Sequence, residues 1–226
     1  MQTMKLRHEW KHEITPMDRR VLSARLSAVA QRDSHGQNGR YNIRSLYFDD
    51  SRDTALLEKI NGVNRRDKFR LRYYDGDTSY ICLEKKSKYN GLCGKRAALL
   101  GAKEVQRILD GGWNWMPACG RPLVQELYSR MQGGGLRPKT IVDYTRDAFL
   151  FPAGNVRVTL DFHLRTGLHS TDFLNPACVT VPAGDAPVIL EVKWDEFLPD
   201  IIREIIQLPG RHTSSFSKYA ACRIYG

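Results

Sequence analysis

The chain has 226 residues, 42% of them hydrophobic, with 35 Lys and Arg against 25 Asp and Glu and a net charge of +10. That is enough apolar material for one packed domain over residues 1–226, and it excludes a chain too polar to fold. The basic excess favours anionic partners: nucleic acid, phosphorylated metabolites or an acidic membrane surface.

Five cysteines (Cys82, Cys93, Cys119, Cys178 and Cys222) are scattered without a CxxC spacing. A disulfide scaffold and a zinc cluster are therefore not expected, and reduced thiols are. Residues 1–5 offer no apolar signal core, and no stretch approaches the ~18 apolar residues a membrane span needs. The expectation is a cytoplasmic protein, with attachment through a membrane-protein partner still compatible.

In chain order, a first strand is expected near residues 4–13, where Leu6, His8 and Trp10 alternate with Arg7, Glu9 and Lys11. Thr15 as N-cap, Pro16 in the first turn and Asp18 after it start an amphipathic helix over 16–31. A glycine-containing loop leads to a strand over 41–48 and a short helix over 52–60. Strands near 66–75 and 78–88 meet at Asp75-Gly76-Asp77, and Asn90-Gly91 turns into a third strand carrying Lys95 and Arg96. Helices follow at 102–110 and 122–132, then strands at about 138–150, 155–164 and 187–194, with a further one near 177–182. Ile201, Ile202, Ile205 and Ile206 mark a last long helix, and Ser217 to Arg223 a short terminal one. Hairpins with interspersed helices indicate an α+β fold built on a mainly antiparallel sheet, and eight strands can close into a barrel.

The charged rows carry the functional signal. Val156, Val158, Leu160 and Phe162 alternate with Arg157, Thr159, Asp161 and His163. Likewise Lys68, Arg70 and Arg72 alternate with Phe69, Leu71 and Tyr73; Glu84, Lys86 and Lys88 share a row, as do Glu191 and Lys193. Such rows are ordinarily the wet side of an open sheet. Two cations ~6 Å apart at an effective dielectric of about 20 repel by roughly 3 kcal/mol, however, so clustering them points to a bound anion. Arg offers forked donors that match phosphate oxygens, and Lys a compact charge.

Other features fit plainer roles. His8 and His12 are four apart on a strand, ~13 Å, too far to chelate one ion. Trp113 and Trp115 read as core or capping residues. Gly133-Gly134-Gly135 lacks the following Lys-Ser/Thr of a P-loop.

Arg7-His8-Glu9-Trp10-Lys11, Arg44-Ser45-Leu46-Tyr47-Phe48-Asp49, Lys68-Phe69-Arg70-Leu71-Arg72-Tyr73-Tyr74 and Leu83-Glu84-Lys85-Lys86 follow one another in order. Tyr144-Thr145-Arg146, Val156 to Asp161, Leu190-Glu191-Val192-Lys193 and Phe216-Ser217-Lys218-Tyr219 continue the series. Together they resemble the triphosphate tunnel metalloenzymes (CYTH-like), and within them the VTC-type polyphosphate polymerases and their bacterial relatives.

The resemblance implies an eight-stranded antiparallel β-barrel, the triphosphate tunnel, with flanking helices. It implies metal-dependent transfer of the γ-phosphate of ATP to a growing inorganic polyphosphate chain with release of ADP, the partners being ATP and inorganic polyphosphate or pyrophosphate. The phosphate-binding set it marks is Lys11, Arg70, Arg72, Lys86, Lys95, Arg146, Arg157, Lys193 and Lys218. Of these, Arg70, Arg72, Lys86, Arg146, Arg157 and Lys218 would serve the transfer. A divalent metal, Mn2+ or Mg2+, would sit on Glu191, with Glu9 and Asp161 as further donors.

One departure stands out: the hydrolytic branch begins E-x-E-x-K, whereas this chain has Arg7-x-Glu9-x-Lys11. That tilts the expectation towards synthesis. The alternatives are a triphosphate or nucleotide hydrolase on the same scaffold and a non-catalytic sensor of polyphosphate or inositol phosphates. No nucleic-acid partner is expected, since no stacking platform or groove-reading helix is apparent.

Overall fold

A computed structural model describes residues 6–34, 36–185 and 187–224. Residues 4 and 5 of the expected first strand lie outside the described residues. Among the described residues there are ten strands: β1 His8–Ile14, β2 Gln31–Arg32, β3 Arg40–Asp49, β4 Arg66–Tyr74, β5 Asp77–Tyr89, β6 Leu92–Leu100, β7 Arg137–Phe151, β8 Val156–Thr166, β9 Val181–Pro182 and β10 Val188–Trp194. The helices are α1 Pro16–Val29, α2 Thr54–Ile60, α3 Ala102–Leu109, α4 Pro122–Gly133, α5 Asp200–Ile206 and α6 Lys218–Cys222. No helix among the described residues is long and apolar enough to cross a membrane.

Eight strands pair antiparallel in the order β1-β10-β8-β7-β3-β4-β5-β6, with β2 added to β7 and β9 to β8. The two ends of this path meet: Arg7 and Cys93 exchange both backbone hydrogen bonds, each 3.0 Å. The sheet is thus curled on itself, and each strand has a face towards the lumen and a face towards helices.

Local chemistry explains the pieces. Thr15 and Asp18 form a capping box at the start of α1, with Thr15 Oγ1 accepting from the Asp18 N–H at 3.1 Å and Asp18 Oδ2 from the Thr15 N–H at 2.9 Å. Asp75-Gly76 and Asn90-Gly91 take left-handed φ values of 48°, 76°, 45° and 84°, the pairing that two-residue hairpin loops require.

The outward faces are apolar and covered. Leu71, Leu83 and Phe69 pack under α3 and α4 with Val105, Val124 and Leu127. Val158, Leu160, Leu190 and Val192 pack under α1 and α5 with Leu22, Leu26 and Ile202. Each fully buried Leu contributes ~1.5–3 kcal/mol relative to exposure, which fixes which face of the sheet turns away from the lumen.

Three details add to or differ from the sequence reading. The alternation of β8 ends at His163, which is exposed with φ 53°, where the β7–β8 register shifts. Beyond this bulge Leu164 joins the lumen cluster instead of the outer one. Helix α6 flanks the sheet on its concave side. Tyr219 and Cys222 pack with Tyr41, Tyr47 and Tyr144 on the concave side, and the Tyr219 ring stacks on Tyr47 at 5.0 Å. The strand expected over 177–182 shrinks to β9.

Candidate functional site

The lumen contains three groups of charges, each assembled by cross-strand register. In the first, Glu84 on β5 stands opposite Arg70 on β4. Arg70 donates from Nε to Glu84 Oε2 at 2.6 Å, with Nη2 at 2.5 Å from the same oxygen, and from Nη1 to the Tyr47 hydroxyl at 2.9 Å. Arg72 donates to Ser45 Oγ at 3.2 Å and to the Tyr144 hydroxyl at 2.8 Å, while its Nη1 lies 3.8 Å from Glu84. Lys95 reaches the other oxygen of Glu84 at 3.1 Å. Burial alone would raise the Glu84 carboxyl, but Arg70, Arg72 and Lys95 outweigh it and hold it well below the usual range.

The second group is a four-member square on β1 and β10, where Glu9 faces Lys193 and Lys11 faces Glu191. Lys193 lies 2.6 Å from Glu191 and 3.6 Å from Glu9; Lys11 lies 3.4 Å from Glu9 and 3.6 Å from Glu191. Burial pushes Glu191 up, yet Lys193 and Lys11 leave it well below an ordinary carboxylate. The third group lies on β7, β8 and α6. Arg146 forks onto Asp161 at 2.6 and 2.7 Å, and Lys218 reaches Asp161 at 2.5 Å. Burial raises Asp161, but Arg146 and Lys218 bring it down to about 2. Arg157 pairs with Asp33 at 2.6 Å and donates to the Tyr41 hydroxyl at 2.7 Å.

The expected phosphate-binding residues therefore all lie on lumen-facing rows or on α6 beside them. The Asn90-Gly91 turn keeps Lys95 in register opposite Lys86. What the sequence does not show is that most of these cations arrive already paired. Arg7 turns instead to the rim: its Nε lies 2.7 Å from Asp195 Oδ1, and Nη2 donates to the Asn155 carbonyl.

Among the described residues, several lumen groups without a protein partner can donate to an anion. No carboxylate among the described residues lies within ion-pair distance of Lys68 or Lys86; Lys68 lies 5.1 Å from the Tyr219 ring centre. The buried Arg157 Nε and Thr159 Oγ1 also lack hydrogen-bond partners. Thr159 faces Glu191 across the β8–β10 pair. Because buried polar groups in native proteins are normally satisfied, this set describes the space an oxygen-rich anion would fill. Sequence reasoning missed Thr159 and Lys68 as members. Lys68 stands in the visible charged row yet outside the set that the resemblance marks.

Among the described residues, no cluster of three or more His, Cys, Asp or Glu side chains could hold a metal ion unaided. Glu9 and Glu191 are hard oxygen donors close enough that Glu191 works against the lysines that lower the Glu9 carboxyl. One or two carboxylates, completed by substrate phosphates and water, is the donor set Mg2+ and Mn2+ accept. The square fits such an ion; Asp161, held by the Arg146 fork and Lys218, fits it less well.

The VTC domain family profile matches residues 6–224. No curated protein matches the sequence significantly. Among solved structures, the fold is similar to a candidate adenylyl cyclase from Hippeastrum described as having a dominant triphosphatase activity (16% identity, 96% of this chain and 94% of that one, TM-score 0.57). It is also similar to a candidate adenylate cyclase from Bacillus halodurans (12% identity, 91% and 94%, TM-score 0.52) and to a protein from Pyrococcus horikoshii (11% identity, 94% and 96%, TM-score 0.51).

Proposed function

The chain belongs to the VTC domain family, and on that premise we propose that it is a polyphosphate polymerase moving the γ-phosphate of ATP onto a phosphate chain inside the tunnel. The supporting observation is the sign of the unsatisfied lumen groups: Lys68, Lys86, Arg157 Nε and Thr159 Oγ1 are all donors, whereas the lumen carboxylates already hold cations.

Phosphoryl transfer needs positioning and charge neutralisation more than covalent help from the protein. Arg70, Arg72, Arg146 and Arg157 clamp the triphosphate with the N–H edges their protein partners leave free. Glu84, Asp161 and Asp33 hold those guanidiniums in place, so little reorganisation is needed when the phosphate arrives. Lys86 and Lys218 neutralise the transferring and acceptor phosphates, and Lys11, Lys95 and Lys193 extend the basic wall. A terminal phosphate oxygen of the acceptor attacks the γ-phosphorus, the bond to the β-phosphate oxygen breaks, and ADP leaves. A divalent ion held by Glu191 with Glu9 would supply further neutralisation of the phosphate oxygens.

A second reading, hydrolysis of tripolyphosphate or a nucleotide, is favoured by the triphosphatase activity described for the Hippeastrum protein. Arg7, where hydrolases keep a carboxylate, favours the polymerase. Incubation of purified protein with ATP and Mn2+, followed by gel separation, tests the two. Long polyphosphate with ADP is the expected result, abolished in Arg72→Ala and Glu191→Ala with the fold intact. Orthophosphate from tripolyphosphate, without chain growth, would replace the first reading by the second.

A further inference from the structure

Lys68, Lys86 and Lys95 stand directly opposite one another on β4, β5 and β6. Like charges in facing positions destabilise a sheet. Lys95 is neutralised by Glu84, but among the described residues no carboxylate lies within 4 Å of Lys68 or Lys86. The nearest charges make this worse. Lys68 is approached by Arg66, Lys59 and Lys11, with Asp49 the opposing carboxylate. Asp49 is already occupied by the backbone N–H groups of Ala55 and Leu56 and by the Tyr219 hydroxyl. Lys86 is faced by Arg70 and Lys193, with Glu191 and Glu9 the opposing carboxylates, both already engaged by Lys11 and Lys193.

Both lysines are half-buried; partial burial without a counter-charge is still costly, and a lysine escapes the cost by giving up its proton. We propose that Lys68 and Lys86 form a phosphate-chain subsite that is only partly charged when empty and becomes fully charged by taking up protons as the chain enters. The inference rests on the tunnel's binding phosphate chains, as proposed above, and adds Lys68 to the residues that hold them. No covalent step is involved: each amine takes one proton from solvent, and the incoming chain supplies the negative charge that makes two adjacent ammonium groups tolerable.

Supporting this geometry, burial together with Arg66 and Lys59 lowers Lys68 to about 8. Arg70 and burial lower Lys86 well below an ordinary lysine. By linkage, a ligand that prefers the protonated form draws in the missing fraction of a proton at each site. At about pH 8, Lys68 takes up roughly half a proton, and each lysine takes up at most one.

The test is calorimetric titration of the intact protein with inorganic tripolyphosphate at about pH 8 in two buffers of different ionisation enthalpy. The expected result is a binding heat that changes with buffer in the direction of proton uptake. Lys68→Met and Lys86→Met should each bind the chain with that uptake reduced. Protons released by the chain itself are common to all three proteins and cancel in the comparison.

Binding with buffer-independent heat, or with uptake unchanged in both variants, overturns the inference while leaving the tunnel as a phosphate site. Absence of binding overturns both. Should either variant fail to fold, wild-type protein carrying carbon-13 at lysine Cε gives a second readout. Two lysine resonances should titrate well below the rest and lose that titration when tripolyphosphate is added. Uniform ordinary lysine titration would overturn the inference.

Discussion

Glu84→Gln tests whether the lumen cations are held in place by built-in counter-charges that a phosphate chain can replace. Arg70 and Arg72 are 3% and 5% exposed, and Glu84 is the carboxylate that touches both. Removing one member of a buried ion pair costs ~3–5 kcal/mol because the other charge is stranded. Glutamine keeps one carbonyl acceptor for Arg70, so the lower end, ~3 kcal/mol, applies. For a chain of this size that lowers the melting temperature by roughly 6–12 °C.

The functional half of the prediction has the opposite sign. In the wild type a phosphate chain shares the guanidiniums with Glu84; in the variant it is their principal counter-charge. Saturating tripolyphosphate should therefore stabilise Glu84→Gln by ~1–2 kcal/mol more than it stabilises the wild type, a further gain of several degrees. Thermal unfolding of both proteins, with and without tripolyphosphate, provides the four values needed. A variant melting within about 2 °C of wild type, or gaining no more from the ligand, would refute the reasoning.

Three further outcomes follow from the same charges. Lys68 sits near 8 when folded against 10.5 for a free lysine, so between those values the unfolded chain binds more protons and stability rises with pH. Below the window the full cost, roughly 3 kcal/mol, is present; Lys68→Met should stabilise the protein at neutral pH and flatten the rise in chemical denaturation measured across the window. Asp161 sits near 2 against 3.8, so its contribution is complete above 3.8 and disappears as pH falls through about 2. Asp161→Asn should cost ~3 kcal/mol at neutral pH and remove that part of the acid transition followed by circular dichroism. Tyr219→Phe deletes the 2.7 Å bond to Asp49 and should cost ~1–2 kcal/mol, with weaker tripolyphosphate binding because α6 carries Lys218.

Local periodicity carried most of the fold. The apolar row Val156, Val158, Leu160 does face α1 and α5, and the opposite row does face the lumen. Asp75-Gly76 and Asn90-Gly91 mark hairpins because few other pairs tolerate two left-handed residues. What local pattern could not supply was register over distance. A two-residue turn at Asp75-Gly76 alone would set Arg70 opposite Ile81. The irregularity between Arg72 and Tyr74 shifts the ladder so that Arg70 meets Glu84. The Glu9–Lys193 contact likewise depends on pairing between β1 and β10, from opposite ends of the chain. The resemblance marked Lys218 for the tunnel, but local pattern gave no sign that α6 would enter the concave side, because Tyr219 reads as an ordinary amphipathic position until Tyr47 and Asp49 are brought against it.

The distribution of arginine and lysine in the lumen follows from their proton chemistry. A guanidinium cannot shed its proton in any accessible range, so a buried arginine needs a permanent counter-charge or a close set of acceptors. Arg70 has Glu84 and the Tyr47 hydroxyl, Arg146 has Asp161, and Arg157 has Asp33 and the Tyr41 hydroxyl. Arg72 has the longer Glu84 contact supported by Ser45 and Tyr144. A lysine can shed its proton, so positions without a counter-charge are tolerable to lysine alone, and Lys68 and Lys86 occupy them. The arginines thus form a fixed clamp whose charge is always present and always partly neutralised. The unpaired lysines form a part whose charge depends on what lies beside it. A tunnel that handles an anion of many negative charges needs both. Permanent charge alone would either destabilise the empty barrel or, if fully paired, leave nothing to drive binding.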